Sequence, residues 1–140
     1  MTLPLTGVTV LAVEQHGAGP FGTMLLADLG AEVIKIENPA DGGDMARGVG
    51  PYFLPDGSSQ FFHSFNRNKR SLTLNLKTPE GCEVFHRLVT EADAVLNNLR
   101  GDLPAKMGLD YRTLGKLKPS LVCGKARCVG FPSPSIRHTW

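Results

Sequence analysis

A short apolar segment followed by a glycine-rich turn constrains the fold of this 140-residue chain more than any other feature. Residues 7–13 (GVTVLAV) form a β-branched run, typical of a strand that is buried on both faces of a parallel sheet. After the turn EQHGAG, Pro20 suits the first position of a helix that continues through FGTMLLADL, and Gly30 supplies its end. AEVIKIE then has the pattern of a second strand. This βαβ unit predicts an α/β fold with an open, mostly parallel sheet of Rossmann type.

The rest of the chain repeats the alternation of strands and helices. SLTLNL and residues 93–97 predict a third and a fourth strand, SSQFFHSF, PAKMG and YRTLGKL predict short helical pieces, and SLVCG predicts a fifth strand. Thr78, Pro79 and Glu80 indicate the start of a longer helix, because Thr can cap it, Pro fits its first turn and Glu complements its dipole. Residues 38–57 are rich in Gly, Pro and Asp and predict a long surface loop.

Composition and charge exclude several classes of protein. With 41% hydrophobic and 20% charged residues the chain has the composition of a globular domain, and a net charge of +2 is too small to indicate a nucleic-acid partner. The N-terminal segment has no basic leader and its apolar stretch is short, so we expect a cytoplasmic protein without a membrane partner. Cys82, Cys123 and Cys128 do not have the spacing of a zinc site, and we expect no metal ion.

The glycine-rich turn has the GxGxxG spacing of a dinucleotide-binding loop. Gly17, Gly19 and Gly22 follow the first strand, and Glu37 stands where NAD-binding proteins place the acid that contacts the ribose. Two details disfavour NAD. The residues EQH separate the strand from the first glycine, and Pro20 removes one backbone N–H from the helix start. An anion or nucleotide near this loop, and a turn that only allows close packing of helix on sheet, both stay open.

Residue types alone do not identify a catalytic group. The chain has no GxSxG elbow, HExxH pair or Walker loop, and its aspartates are scattered without an evident carboxylate pair. His16 follows the first strand, at the edge where open α/β sheets bind ligands. Its position is equally compatible with contact to a ligand and with an exposed loop.

Three segments together resemble the N-terminal portion of the class III, or CaiB/BaiF, CoA-transferase family. They are TGVTVLAVEQHGAGPFGTMLLADLGAEVIKIENP, FNRNKRSLTLNLKTPEG and NNLRGDLPAKMGLDYRTLGKLKPSLV, and AGP, DLGAEVIKIE, NRNKRSLTL and LKTPEG occur in that order. The resemblance covers roughly residues 3–123. It implies a Rossmann-like large domain built from both ends of a much longer chain, with two such chains threaded through each other as an interlocked homodimer.

The resemblance also implies CoA thioester chemistry. In this family an aspartate carboxylate attacks the acyl-CoA thioester to form a mixed anhydride. CoA then attacks the anhydride to leave an enzyme-bound thioester, and a carboxylic acid acceptor takes the CoA. Racemases of the same family use acid and base groups beside the thioester instead, and this region does not separate the two activities. The implied partners are acyl-CoA and carboxylic acid substrates, with no tightly bound cofactor.

Carried over by resemblance, the CoA contacts fall in the turns that follow or surround the predicted strands. They are Gly17 and Ala18 after the first strand, Asn38 after the second, Leu74 and Lys77 around the third, and Asn98, Leu99, Arg100 and Lys106 after the fourth. Relatives often have a polar residue in place of Gly17 and Arg in place of Asn38. Lys106 supplies charge where relatives have Arg, but without the planar guanidinium.

Basic residues lie on both sides of the third strand. Arg67, Lys69 and Arg70 precede it, and Lys77 follows it. Because a strand of about six residues spans roughly 20 Å, we expect the first three near the edge of the sheet opposite the ligand crevice. Lys77 stands beside a helix start, where a phosphate would meet both an ammonium group and a helix N-terminus. We therefore predict that replacing Lys77 weakens CoA binding more than replacing Lys69.

The end of the chain differs in character from the rest. After SLVCG the family continues toward a Gly-Tyr-Asp type segment with the nucleophilic aspartate, whereas this chain reads KARCVGFPSPSIRHTW and has no residue that matches it. We expect residues 1–123 to form the N-terminal part of the large domain, and residues 124–140 to be an atypical tail caused by a frameshift or truncation. We expect the chain alone to be inactive and prone to oligomerise. A NAD-binding Rossmann protein and a noncatalytic CoA-binding module are the alternatives.

Overall fold

The computed structural model describes residues 2–126, and within this range strands and helices alternate as the sequence predicts. The tail predicted for residues 124–140 lies outside the described residues beyond Ala126. The strands are β1 (Thr9–Val13), β2 (Glu32–Glu37), β3 (Lys69–Thr73), β4 (Ala94–Asn97) and β5 (Val122–Lys125). The helices are α1 (Ala18–Asp28), α2 (Gln60–Asn66), α3 (Pro79–Glu91), α4 (Leu103–Lys106) and α5 (Tyr111–Leu114).

The five strands form one parallel sheet in the order β3-β2-β1-β4-β5. This is the order of doubly wound α/β sheets, in which the chain begins near the middle and extends first to one side and then to the other. β1 pairs with both β2 and β4, so the direction of winding changes between β1 and β4. The structure thus confirms the predicted α/β class with a parallel sheet. It also brings the carboxyl ends of all five strands to one edge, where such sheets bind ligands.

Alternate residues of β1 face two separate hydrophobic cores, which explains why the strand is buried on both faces. Leu11 and Val13 face the larger core, and Val10 and Ala12 face the smaller one beside α1. The larger core contains Leu11, Val13, Ile36, Leu76, Phe85, Val89, Ala92, Val95, Leu109, Leu114 and Leu121, and the smaller contains Val10, Ala12, Ala27, Ala31 and Val33.

Two elements begin earlier than the sequence predicts. α1 starts at Ala18, so Pro20 occupies its third position rather than its first. The missing N–H of Pro20 is still harmless there, because the first four N–H groups of a helix have no partner within the helix. β3 starts at Lys69, two residues before the predicted run SLTLNL, and ends at Thr73. Lys69 is therefore a strand residue, and Leu74 follows the strand.

The ends of the first and third helices follow the predicted signals. Gly30, with φ of 101°, lies just beyond α1 in the left-handed region that glycine tolerates. α3 is capped by Thr78, whose Oγ1 accepts the backbone N–H of Gly81 at 3.2 Å. Phe85 and Val89 then turn one face of α3 into the larger core.

The segment 38–57 is not exposed along its whole length, so that part of the prediction is wrong. Asp44 and Ala46 are buried. The Asp44 carboxylate accepts the backbone N–H groups of Ala46 and His16, both at 2.9 Å, which fastens the segment to the turn after β1. The segment contains two short 3-10 helices, Pro39–Asp41 and Met45–Gly48.

Two kinds of structural feature are absent from residues 2–126. No helix in this range has the length and apolar character needed to cross a membrane. No group of three His, Cys, Asp or Glu side chains in the same range is arranged to hold a metal ion. Cys82 and Cys123 are half-buried free thiols, and Cys128 lies outside the described residues.

Candidate functional site

A cleft with a volume of about 210 Å³ opens at the carboxyl edge of the sheet, between the turns that follow β1, β2, β3 and β4. Leucine side chains and Met107 give it a mainly apolar lining. Four of the predicted CoA contacts line this first cleft, namely Asn38, Leu74, Lys77 and Leu99. Residues from three separate turns are thus brought together in one place.

A second cleft of about 570 Å³ adjoins the first, because Leu99 and Leu103 line both. Three predicted contacts, Asn98, Leu99 and Arg100, lie in its wall. His16 lines it too, on an exposed turn. The structure therefore places His16 beside the candidate site.

The remaining predicted contacts lie outside the linings of these two clefts. Gly17 caps α1 and Ala18 is its first residue, so both belong to the helix start that follows His16. Lys106 is exposed in α4, and its ammonium group lies 3.0 Å from a carboxylate oxygen of Asp102. These three residues are near the clefts in sequence, but the structure does not place them in the cleft walls.

Asn98 joins the turn after β1 to the turn after β4. Its side-chain oxygen accepts the backbone N–H of Gln15 at 2.9 Å, and its side-chain N–H donates to the backbone carbonyl of Gln15 at 2.7 Å. These two bonds extend the contact between β1 and β4 beyond their last pair, Val13 and Asn97. Because both polar atoms of the Asn98 side chain are occupied, Leu99 and Arg100 are better placed to meet a ligand.

Lys77 projects from the turn between β3 and α3, directly before the capping residue Thr78. Its side chain is 66% exposed, and its Nζ lies 3.4 Å from Oδ2 of Asp41. The same Asp41 oxygen accepts the side-chain N–H of Asn38. Lys77 therefore stands where the sequence predicts, at the carboxyl edge of the sheet and beside a helix start.

Two of the basic residues before β3 form exposed ion pairs away from the clefts. Arg67 pairs with Asp28 at the end of α1, and Arg70 pairs with Glu32 at the start of β2. Both pairs lie toward the amino ends of the strands, as expected. Exposed pairs of this kind contribute little to stability, and these are remote from the candidate site.

The third basic residue, Lys69, enters a buried charge cluster that also contains Glu14, Lys35 and Asp44. Lys69 Nζ lies 2.9 Å from a carboxylate oxygen of Glu14, and Lys35 Nζ lies 2.7 Å from Asp44 and 3.7 Å from Glu14. All four side chains are nearly inaccessible, and the two ammonium groups balance the two carboxylates. Burial lowers the pKa of Lys69, and the nearby Glu14 opposes this effect. The sequence predicts Lys69 near the edge of the sheet opposite the ligand crevice. For its ammonium group this prediction is wrong, because the long side chain extends to Glu14, directly after β1.

Sequence reasoning missed the buried charge cluster because its members come from four separate segments. Lys35 gave one signal, since a lysine in the middle of an otherwise apolar strand needs a partner when the sheet buries it. Glu14, directly after the apolar run of β1, gave a similar one. No spacing in the sequence connects either residue with Asp44 or Lys69.

The buried charge cluster fixes the turn beside the second cleft. Glu14 also accepts the hydroxyl of Thr23 in α1 at 2.8 Å, and Asp44 holds the backbone N–H of His16. His16 has φ of 67°, in the left-handed region, and its ring packs against Phe61 with centroids 5.1 Å apart. The turn is thus held by charge, hydrogen bonds and an aromatic contact before any ligand arrives.

Glu37, the candidate ribose ligand for NAD, is fully engaged within the protein. Arg47 donates two hydrogen bonds to its carboxylate at 2.8 and 2.7 Å, Ser71 donates its hydroxyl at 2.7 Å, and Asp44 donates its backbone N–H at 3.0 Å. Burial acts to raise the pKa of Glu37, but these hydrogen bonds outweigh it and lower the pKa to about 2. The carboxylate serves the fold and is not free for a ribose hydroxyl.

Close packing requires one glycine of the glycine-rich turn, Gly19. A Cβ at Gly19 would lie 2.9 Å from Cγ of Asn98 and 2.9 Å from Cβ of Glu14, whereas a Cβ at Gly17 or Gly22 would meet open space. Gly19 therefore lets α1 approach the turns after β1 and β4. This finding supports the packing alternative for the motif.

Fold and site together define a class of protein. The open, doubly wound sheet presents at its carboxyl edge a mainly apolar cleft with one exposed ammonium group beside a helix start. Such a cleft suits a ligand that combines an anionic group with an apolar portion.

The comparison with protein families identifies the class more closely. The model of CoA-transferase family III matches residues 5–137, and the chain belongs to this family. The matched range runs past Cys123, near which we expected the resemblance to end. Since residues 127–140 lie outside the described structure, the boundary of the atypical tail stays a prediction.

Named relatives and solved structures agree with this family. The chain is 48% identical to the succinate–glutarate CoA-transferase of Agrobacterium fabrum, over 85% of this chain and 31% of that protein. It is 42% identical to the succinyl-CoA:mesaconate CoA-transferase of Haloarcula marismortui, over 96% of this chain and 34% of that protein. A CaiB/BaiF family protein from Brucella suis superimposes with a TM-score of 0.80 at 40% identity, over 89% of this chain and 33% of that one. The chain thus spans about a third of the length of the relatives it matches.

Proposed function

We propose that this chain is the N-terminal part of a class III CoA-transferase and that the first cleft holds part of CoA. The complete protein would move CoA between an acyl-CoA thioester and a carboxylic acid acceptor. The relatives are named for succinate, glutarate and mesaconate, which supports small dicarboxylic acids as the class of substrate.

The observation that carries this proposal is the convergence of separate turns on the first cleft. Lys77 offers a positive charge to a phosphate, and Asn38 offers an amide beside it. Leu74 and Leu99 offer apolar surface to the adenine ring or the pantetheine arm. CoA has both kinds of group in one molecule, so the chemistry of the cleft matches that of the ligand.

In this proposal the described residues bind CoA and do not carry out its chemistry. We place the nucleophilic aspartate of the family outside this sequence, and we give no residue of the chain a catalytic role. We therefore expect no turnover from the chain alone. The complete protein is proposed to have a Rossmann-like large domain, to form interlocked homodimers and to work in the cytoplasm without a resident cofactor.

Calorimetric titration with CoA tests the proposal. We expect the chain to bind CoA, and Lys77→Ala to weaken binding at least about tenfold, because one charge-assisted hydrogen bond is lost. Arg70→Ala is the matched control, since Arg70 is an exposed basic residue at the other edge of the sheet. It should leave the affinity unchanged, and it is a better control than Lys69, because the Lys69 side chain is buried.

The same titration separates the proposal from its NAD alternative. NAD should give no heat of binding, because Glu37 is engaged by Arg47 and Ser71. Binding of NAD that Glu37→Gln abolishes would favour a dinucleotide-binding protein. Equal effects of Lys77→Ala and Arg70→Ala on CoA affinity would remove Lys77 from the site.

A further inference from the structure

An acidic side chain lies at the mouth of the first cleft, between two of the proposed CoA contacts. Asp41 is 48% exposed and lines the cleft together with Asn38 and Lys77. Its Oδ2 atom accepts the side-chain N–H of Asn38 and lies 3.4 Å from Lys77 Nζ. An amide and an ammonium group from two different turns therefore converge on one carboxylate oxygen.

This arrangement resembles the way proteins bind a phosphate oxygen. Charge-assisted hydrogen bonds from amide and ammonium donors are typical of phosphate sites, and the Asp41 oxygen takes the place of the anion here. A carboxylate and a phosphate cannot both lie close to Lys77 without repulsion. Two unit charges of the same sign about 4 Å apart lower an affinity roughly fivefold even at the dielectric constant of water.

We infer that Asp41 is a positioning residue that competes with a phosphate group of CoA for Lys77 and Asn38. The inference rests on the proposed function. In the free chain Asp41 holds the two donors at the mouth of the cleft. When CoA enters, its phosphate takes over Lys77 and Asn38, and the Asp41 carboxylate moves toward solvent, to which it is already half exposed. Only a ligand with enough negative charge at this position can therefore displace Asp41 from Lys77 and Asn38.

The test is calorimetric titration of the wild-type chain and three variants with CoA. Asp41→Asn removes the competing charge, and we expect it to tighten CoA binding about fivefold at low salt, with a smaller gain at high salt because screening weakens the repulsion. Asp56→Asn is the matched control, since Asp56 is an exposed aspartate of the same long segment but does not line the cleft. It removes the same charge from the chain and should leave the affinity unchanged.

The double variant Asp41→Asn/Lys77→Ala separates competition for Lys77 from a general effect on the fold. If Asp41 acts through Lys77, the double variant should bind CoA no more tightly than Lys77→Ala alone.

Titration with 3′-dephospho-CoA identifies which phosphate of CoA lies beside Lys77. A gain confined to CoA assigns the 3′-phosphate to this position, and a gain for both ligands assigns the diphosphate.

Defined results would overturn the inference. Asp41→Asn binding CoA no tighter than wild type, or an equal gain in Asp56→Asn, would exclude competition by Asp41. A gain that persists undiminished without Lys77 would exclude competition for Lys77 and so overturn the inference as stated. If wild type binds CoA and only these expectations fail, the proposed function stands and the role of Asp41 does not. If neither wild type nor any variant binds CoA, both are wrong.

Discussion

Carboxylates at the carboxyl edge of the sheet have different tasks because their surroundings differ. Glu37 is 5% exposed and joins three segments, since it is the last residue of β2 and accepts hydrogen bonds from Arg47 in the second 3-10 helix and from Ser71 in β3. Asp41 is half exposed, with partners at the mouth of the first cleft. The first side chain stabilises the fold, and the second is positioned to respond to a ligand. Neither role is evident from the residue type, because each role depends on which groups the fold places beside the carboxylate.

Acid should destabilise the chain through Glu37. The pKa of Glu37 is lowered from 4.5 to about 2 in the folded chain, so its contribution is complete above pH 4.5 and is lost as the pH falls toward 2. A shift of this size corresponds to about 3 kcal/mol of unfolding free energy, of which about 2 kcal/mol is lost by about pH 3. Urea unfolding followed by circular dichroism should show that Glu37→Gln lacks this loss between neutral pH and about pH 3.

The control for this prediction is Glu83→Gln, which makes the same substitution at an exposed position of α3. Its stability should follow that of the wild-type chain across the same range of pH. If Glu37→Gln and wild type lose stability in parallel on acidification, the carboxylate of Glu37 does not carry the predicted linkage.

Elements were predictable from sequence where their signals are local. The apolar run of β1 and the Thr78 cap of α3 each determine the structure within a few residues, and both are found as predicted. The segment 38–57 was less predictable, because Asp44 is buried by contacts with residues distant in sequence, Lys35 in β2 and His16 after β1. Local composition indicates a surface loop at this position, whereas the ion pair draws part of it inside.

For the candidate site, the position of its residues was predictable from the sequence, but the contacts between their side chains were not. Because parallel strands end at one edge, the residues after them meet there, and this brings Asn38, Lys77 and Leu99 to one cleft. The bonds of Asn98 to Gln15 and of Asp41 to Lys77 depend on side-chain conformations and on distances between turns. No pattern along the sequence contains that information.

Close packing of α1 on the sheet gives a prediction at the scale of one helix. Gly19→Ala should lower the free energy of unfolding by about 1 to 3 kcal/mol, because the added Cβ would lie 2.9 Å from Glu14 and Asn98. Gly22→Ala is a matched control in the same helix, where a Cβ meets open space. It should leave stability unchanged or raise it by up to about 1 kcal/mol, since Ala favours helix over Gly.

Urea unfolding of the two variants checks this comparison. A Gly19→Ala variant as stable as Gly22→Ala would mean that α1 moves away from the turns without cost. The glycine-rich turn would then need another explanation than close packing.

For the molecule as a whole, the exposed surface of the described residues includes an apolar stripe on α1. Phe21, Leu25 and Leu29 follow one another at helical spacing along the outer side of α1, and each is 45 to 49% exposed. The chain spans about a third of the length of its relatives. An apolar stripe of this kind is typical of surfaces that contact other protein segments, which agrees with the proposed homodimer and with self-association of the chain alone.

The buried charge cluster has a consequence for the order in which the molecule assembles. Glu14 follows β1, Lys35 lies in β2, Asp44 follows β2 and Lys69 begins β3. A buried charge without its partner costs several kcal/mol, so any state that contains only part of the cluster is strongly disfavoured. Native-state hydrogen exchange should therefore give the amides of β1, β2 and β3 one common opening free energy, and separate values for the three strands would contradict this. We therefore expect β1, β2 and β3 to behave as a single cooperative unit that forms and opens in one step.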